Sequence, residues 1–186
     1  MIYSKNKKIG IRAIEKSDLP LIQSWRNDES LRQYFREYRD FSLTQKENWY
    51  NNMITDNRFE MFVIRDCGDG QDIGVTGITY IDWVNRHGDV HFYIGKDGEW
   101  IDEKYSPDAI KIILNYGFNT LNLNKLWVEV YEIDTKKLDF FQSLGFKIDA
   151  SLREHYFHKG KYYTSHILSL LRSEYEQSFI HWCTSR

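Results

Sequence analysis

An amphipathic helix set between two strands constrains this chain more than any other feature of its sequence. The helix begins at Ser106-Pro107, a hydroxyl cap followed by a proline that fits the first helical position. One strand is expected before it, over residues 89–95, and another after it, over residues 125–131. Because a strand–helix–strand crossover joins parallel strands, these two strands should lie parallel. The buried stripe of the helix repeats at helical spacing and comprises Ile110, Ile113, Leu114, Gly117, Phe118 and Leu121.

The remaining patterns extend this unit to the order β-α-α-β-β-β-α-β-α-β-β. We therefore predict an α/β (α+β) fold in a single domain, residues 1–186, with a mixed central sheet of about seven strands and helices on both faces. Residues 173–186 could form a C-terminal helical tail. The further strands are expected over residues 8–14, 58–65, 73–83, 146–158 and 161–171. The further helices are expected from Ser17-Asp18, over residues 31–35, from a capping box at residues 44–47, and from Asp134-Thr135 to Leu144.

The composition of the chain argues against several classes of binding partner. The chain has 27 acidic and 25 basic residues, and its net charge of −2 offers no basic field for a nucleic acid. Its two cysteines form no CxxC pair, so we expect no metal site. No apolar run is long enough to span a membrane, and reduced thiols suit a cytoplasmic protein.

Five stretches of the chain, taken in order, resemble the GNAT superfamily of N-acetyltransferases over nearly the whole length. The pattern is most similar to the RimJ/RimL-like branch, and within it to acetyltransferases of nucleotide-activated amino sugars in the pseudaminic-acid pathway. Each motif alone is weak, and the resemblance rests on their order and spacing. The stretches are residues 11–19 (IRAIEKSDL), Trp25-Arg26-Asn27 with Asn48-Trp49, residues 73–82 (IGVTGITYID), residues 109–126 (AIKIILNYGFNTLNLNKL) and Leu144-Gly145-Phe146.

The resemblance implies a GNAT fold in which the two central parallel strands splay apart and acetyl-CoA, the co-substrate, lies in the gap. Its pantetheine amides would pair with the first splayed strand near Phe92, Tyr93 and Ile94. Its pyrophosphate would lie at the start of the next helix, where free N–H groups favour anions. The positions that correspond to this part of the family's cofactor site are Lys104, Tyr105, Ser106, Asp134 and Phe141.

The chain departs from the family at these positions. The family's phosphate loop reads (Gln/Arg)-x-x-Gly-x-(Gly/Ala), and here Ile101, Lys104 and Ser106 stand at the three defining places. Loss of the glycines hinders close approach of a phosphate, while the Lys104 charge could compensate in part. Phe141 replaces the tyrosine that often protonates the leaving thiolate. We therefore expect weakened or altered binding of acetyl-CoA.

Acetyl transfer to an amine needs a group that accepts the proton of the amine. Alternation places Asp89 and His91 on one face of their strand, and Glu129 and Tyr131 on one face of the parallel strand. We rank Glu129 and His91 first as the base, and Tyr131 next. Each could instead be a paired or merely buried group.

The sequence thus predicts a cytoplasmic, acetyl-CoA-dependent N-acetyltransferase of a small-molecule primary amine, with an amino-sugar nucleotide as the first candidate. A protein N-terminus, a polyamine, an antibiotic amine and an acyl-carrier-protein donor remain open. A GNAT-fold binding or regulatory module that has lost catalysis is the alternative of another class. We expect a monomer or homodimer, with no nucleic-acid or membrane partner. The candidate residues for binding the acceptor are Arg26, Asn27, Trp49 and Tyr80.

Overall fold

A single mixed sheet organises the structure. The computed structural model describes residues 1–184, with side chains through residue 178. Eight strands are hydrogen-bonded in the order β1-β2-β3-β4-β5-β6-β8-β7. The expected mixed sheet is confirmed, and the additional strand is the two-residue β1, which is too short to give a periodic pattern. The strands are β1 (Ile2–Tyr3), β2 (Ile9–Ala13), β3 (Glu60–Asp66), β4 (Asp72–Asp82), β5 (His87–Ile94), β6 (Lys125–Tyr131), β7 (Lys147–His158) and β8 (Lys161–Leu171).

Helices cover both faces of this sheet. On one face, Gly117 just after α4 lies against Ile78, and Phe140 of α5 stacks on Phe92. On the other face, Trp25 of α1 meets the ring of Tyr93 edge to face. The helices are α1 (Leu19–Asn27), α2 (Glu29–Arg32), α3 (Leu43–Met53), α4 (Ser106–Asn115), α5 (Thr135–Ser143) and α6 (Arg172–Thr184). Within the described residues, none of the helices is long and apolar enough to cross a membrane.

Two predicted helix starts need correction. The capping box of α3 is formed by Ser42 and Gln45, not by residues 44–47: Gln45 N–H donates to Ser42 Oγ at 3.2 Å, and Ser42 N–H donates to Gln45 Oε1 at 2.8 Å. Both tetrapeptides have the capping pattern, and the sequence alone does not rank them. The expected helix at residues 31–35 begins earlier, at Glu29, because the Asp28 carboxylate accepts a hydrogen bond from Ser30 N–H.

The crossover agrees with expectation. Helix α6 spans Arg172–Thr184, within which residues 173–184 of the expected tail fall, and residues 185 and 186 lie outside the described part. Strands β5 and β6 are parallel, and they pair only at His87↔Lys125, Gly88↔Leu126 and Asp89↔Trp127. Beyond these pairs the two strands diverge, which opens the splayed gap expected at the centre of the sheet.

Candidate active site

A cavity of about 390 Å³ lies beside the gap, on the face of the sheet that carries Tyr93. Helices α1 and α3 and the segment over residues 34–41 form its outer wall, and strands β4 to β6 form its floor. The cavity brings together residues that are far apart in the chain. Its ionisable lining comprises Arg26, Arg36, Glu37, Lys46, Tyr34, Tyr80, Asp89, His91, Tyr93, Glu129, Tyr131 and Lys137.

Arg36 joins the two splayed strands across this cavity. Its Nη1 donates to Asp89 Oδ2 at 2.7 Å, and its Nε donates to Glu129 Oε2 at 2.7 Å. No motif marks Arg36, which lies in an irregular segment between α2 and α3. One guanidinium therefore bridges the two carboxyl groups nearest the point where the strands diverge.

Glu129, one of the two bases ranked first, is fully engaged. Its second oxygen accepts a hydrogen bond from the Ser165 hydroxyl, and His155 Nε2 lies 3.6 Å away. Burial raises the pKa of Glu129, but the hydrogen bonds from Ser165 and Arg36 outweigh burial and leave the pKa below its usual value. A carboxylate with a low pKa and occupied oxygens is a weak proton acceptor.

His91, the other base ranked first, lines the cavity from the middle of β5. Among the described residues its ring has no hydrogen-bond partner, and it meets Tyr93 edge to face at 5.6 Å. Burial lowers the pKa of His91 well below its usual value, and the charges of Arg26 and Lys137 lower it further. The imidazole is therefore neutral at physiological pH. The low pKa makes His91 a weak base as well, and what distinguishes it from Glu129 is a ring nitrogen that no hydrogen bond occupies among the described residues.

Tyr131 closes the cavity at the end of β6. Its ring stacks on Tyr156, with centroids 3.8 Å apart and planes 6° from parallel. Burial raises the pKa of Tyr131, so its hydroxyl stays protonated. Tyr131 is thus a possible proton donor rather than a base.

The candidate acceptor-binding residues fall into two groups. Arg26, Trp49 and Tyr80 line the cavity, and Tyr80 lies 54% exposed at its mouth. Asn27 does not line it: its side chain donates to Phe41 O at 2.9 Å and accepts from Phe41 N–H at 2.9 Å. Asn27 therefore ties α1 to the backbone of Phe41 in the outer wall of the cavity.

The free edge of β5 is partly occupied by the chain itself. Ile94 N–H donates to Trp100 O at 2.8 Å, and Trp100 N–H donates back to Ile94 O at 3.0 Å. The Trp100 indole N–H also donates to Asp134 Oδ2 at 2.7 Å. Ile94 and Asp134, two positions expected to bind the cofactor, are thus both bonded to Trp100.

The start of α4 is occupied in the same way. Asp102 Oδ1 accepts hydrogen bonds from Tyr105 N–H at 3.0 Å and from Ser106 N–H at 2.8 Å. Lys104 Nζ donates a hydrogen bond to the Tyr105 hydroxyl rather than to a group at the start of the helix. The amides expected to hold a pyrophosphate therefore already hold a carboxylate of the same chain.

The remaining cofactor positions are packed into the core. Phe141 is fully buried against Phe140 and Phe146, and Phe92 is 2% exposed. Lys137 Nζ reaches into the gap and donates to Glu129 O at 3.3 Å. In this arrangement Trp100 and Asp102 occupy backbone groups that the resemblance assigns to acetyl-CoA.

Comparison with known proteins shows a family match. The model of the acetyltransferase (GNAT) domain family matches residues 8–147. Spermidine N(1)-acetyltransferase of Vibrio cholerae is 26% identical over 170 residues, which cover 91% of this chain and 96% of that protein. The Escherichia coli enzyme of the same name is 25% identical over 167 residues, which cover 90% and 88% respectively.

Solved structures give the same picture. A crystal structure of spermidine N-acetyltransferase from Vibrio cholerae in complex with CoA and spermine superimposes with a TM-score of 0.84 at 27% identity. The match covers 90% of this chain and 98% of that one. The superfamily resemblance is thereby confirmed. The finer likeness to the RimJ/RimL-like branch and to amino-sugar enzymes is not, because these relatives are spermidine acetyltransferases.

Proposed function

This chain belongs to the GNAT acetyltransferase family and is an acetyl-CoA-dependent N-acetyltransferase, and we propose that it acetylates the primary amine of a small molecule bound in the cavity beside the splayed strands. The observation that carries this proposal is the position of His91. A neutral imidazole without a hydrogen-bond partner among the described residues lies on the cavity floor, next to the gap.

The reaction requires the transfer of a proton from the amine, and residues that line the cavity can take part in it. Acetyl-CoA would supply the acetyl group as a thioester: as the new C–N bond forms, the C–S bond breaks and CoA leaves as a thiolate, which takes up a proton. The acceptor amine must lose a proton as its nitrogen forms the amide, and His91 can take that proton. Tyr131 keeps its own proton and can donate a hydrogen bond inside the cavity. Arg36 and Ser165 occupy the oxygens of Glu129, whereas no hydrogen bond occupies the ring of His91 among the described residues, which favours His91 over Glu129 as the base.

An amino-sugar nucleotide is the first candidate acceptor. Arg36 pairs with both carboxylates on the cavity floor, whereas Arg26 and Lys46 in the outer wall have no carboxylate within ion-pair distance among the described residues. These two cations without salt bridges favour an amine that also carries anionic groups. A polyamine is the second candidate, because the relatives from Vibrio cholerae and Escherichia coli are spermidine acetyltransferases.

Direct assay of acetylation separates the two candidates. Purified protein and acetyl-CoA would be incubated with a nucleoside-diphosphate amino sugar or with spermidine, and products followed by mass spectrometry. Faster turnover of the amino-sugar nucleotide supports the proposed acceptor. Preferential turnover of spermidine assigns the chain to the polyamine enzymes, and turnover of neither refutes both acceptors.

The oligomeric state of this chain is also a proposal. We keep the expectation of a monomer or homodimer, although a solved relative from Vibrio cholerae is dodecameric. Sedimentation velocity at several concentrations would decide between these states.

A further inference from the structure

Two cations face the cavity from neighbouring helices. Arg26 lies in the last turn of α1, and Lys46 lies near the start of α3. Both are placed around the ring of Phe41: the Arg26 guanidinium carbon is 5.6 Å from the ring centroid, and Lys46 Nζ is 4.6 Å from it. The two side chains therefore form one positively charged patch in the wall of the cavity.

Neither cation forms a hydrogen bond or a salt bridge within the part of the chain that the structure describes. Lys46 is 4% exposed, and it has no hydrogen bond or ion pair there. Arg26 also has no acceptor for its N–H groups among those residues. Glu37 lines the same cavity, but its carboxylate is bonded to Arg39 at 3.0 Å. Buried cations in proteins normally have an acidic partner, so two such cations without one are unusual.

Aromatic rings stabilise these cations without satisfying them. The Arg26 guanidinium carbon lies 3.6 Å from the Phe35 centroid, and Lys46 Nζ lies 4.7 Å from the Trp49 ring. A ring face attracts a cation, but it does not replace the oxygen acceptors that a guanidinium or an ammonium group requires. The N–H groups of both side chains are therefore left for a ligand.

A third donor lies in the floor of the same cavity. The Tyr93 hydroxyl is buried and has no hydrogen-bond partner among the described residues, and Tyr93 lines the cavity. Burial raises the pKa of Tyr93, so this hydroxyl remains a donor. Three unpaired donors around one cavity call for a ligand with several acceptor oxygens.

We propose that Arg26, Lys46 and Tyr93 form an oxyanion-binding subsite of the acceptor cavity, which holds a phosphate or carboxylate group of the amine substrate. This subsite rests on the proposed function, since the amine end of the same molecule would lie at His91. A guanidinium and an ammonium group together match the charge and the lone pairs of such a group. A polyamine has no anionic group, and its ammonium groups would be repelled.

Binding measured without acetyl-CoA tests the subsite separately from catalysis. Inorganic pyrophosphate and succinate would be titrated into wild-type protein and into the variants Lys46→Met and Arg26→Gln by calorimetry. We expect at least one anion to bind wild type, and each variant to lose about tenfold or more in affinity. Lys16→Met is the matched control, because Lys16 is 64% exposed and pairs with Glu47 at the surface.

Thermal unfolding shows whether each variant is still folded. The anion that binds should raise the melting temperature of wild type and of Lys16→Met, but not that of Lys46→Met. Pyrophosphate alone would identify a phosphate site, and succinate alone a carboxylate site. Equal binding by wild type and both variants, no binding of either anion, or tight binding of spermidine would each overturn the subsite. Anion binding without acetylation of any anionic amine would leave the subsite standing and refute the proposed acceptor class.

Discussion

The carboxylate of Asp102 accepts hydrogen bonds from both the backbone N–H and the hydroxyl of Ser106, at 2.8 and 2.9 Å. The Ser106 hydroxyl in turn accepts a hydrogen bond from Asp102 N–H at 3.0 Å. These two residues therefore close the start of α4 with groups of the same chain. Any anion that uses the amides of this helix must first displace Asp102.

Replacing Asp102 should expose those amides. In Asp102→Ala, we expect acetyl-CoA to bind about tenfold more tightly by calorimetry, because a competing charged acceptor has been removed. The same change should lower the free energy of unfolding by about 1 kcal/mol, since a helix cap is lost. Glu103→Ala is the control: it removes the same charge from the neighbouring position. Unchanged or weaker binding by Asp102→Ala would show that Asp102 does not compete with the cofactor.

The indole of Trp100 should stabilise the closed edge of β5. Trp100→Phe removes the hydrogen bond to Asp134, whose carboxylate is 4% exposed, and should lower the free energy of unfolding by about 1–3 kcal/mol in a urea titration. Trp83→Phe loses a similar indole bond, to Asn57 O at 3.1 Å, but at a side chain that is 41% exposed. It should cost clearly less, and equal losses would argue against the importance of the buried bond.

His91 should govern the acid limb of the pH profile. His91→Gln keeps a polar side chain without a basic nitrogen, so we expect turnover to fall by about 10²–10⁴-fold. Since the pKa of His91 lies well below 6.5, wild-type activity should persist as the pH falls through 6.5. Glu129→Gln should retain more activity than His91→Gln. The reverse order would move the role of the base to Glu129.

Lys46 should make stability depend on pH in a distinctive direction. Burial, together with the charge of Arg26, lowers the pKa of Lys46 to about 7. Between this value and 10.5, the unfolded chain binds more protons than the folded chain, so this lysine makes stability rise with pH.

The uncharged variant tests this directly. Lys46→Met should exceed wild type in the free energy of unfolding by roughly 1–3 kcal/mol at pH 7, and the difference should shrink toward pH 10.5. Arg26 keeps its charge throughout this range, and His91 is neutral, so neither cancels the effect. A variant that is less stable than wild type at pH 7 would mean that packing of the lysine stem outweighs its charge.

Local patterns determined most of the fold. The stripe from Ile110 to Leu121 and the cap at Ser106 lie within one helix, so neighbouring residues are enough to predict the crossover and its parallel strands. By contrast, β1 has two residues and is defined by its pairing of Ile2 with Ile11, which no periodic pattern announces. The competing capping box at Ser42 shows that short motifs locate a helix better than they locate its first residue.

Long-range packing determined the site, and the sequence pointed to it only in part. His91, Glu129 and Arg26 were selected from their strand faces and motifs, and all three line the cavity. Arg36 could not be selected, because it lies 53 residues from Asp89 and 93 from Glu129. No motif marks Trp100 or Asp102, and their hydrogen bonds to Ile94 and Ser106 depend on how the loop before α4 folds back.

The short pairing between β5 and β6 divides the sheet into two plates, β1–β5 and β6–β8, that share a seam of only three residue pairs. A small pivot about this seam would widen the cleft at its far end while the backbone hydrogen bonds within each plate stay intact. Arg36 ties Asp89 on one plate to Glu129 on the other, close to the pivot, where such a rotation moves atoms least. Trp100 links Ile94 to Asp134 at the opposite end, where the same rotation moves atoms most. The hydrogen bonds of Trp100, which close the cleft, are therefore those that the pivot would break first.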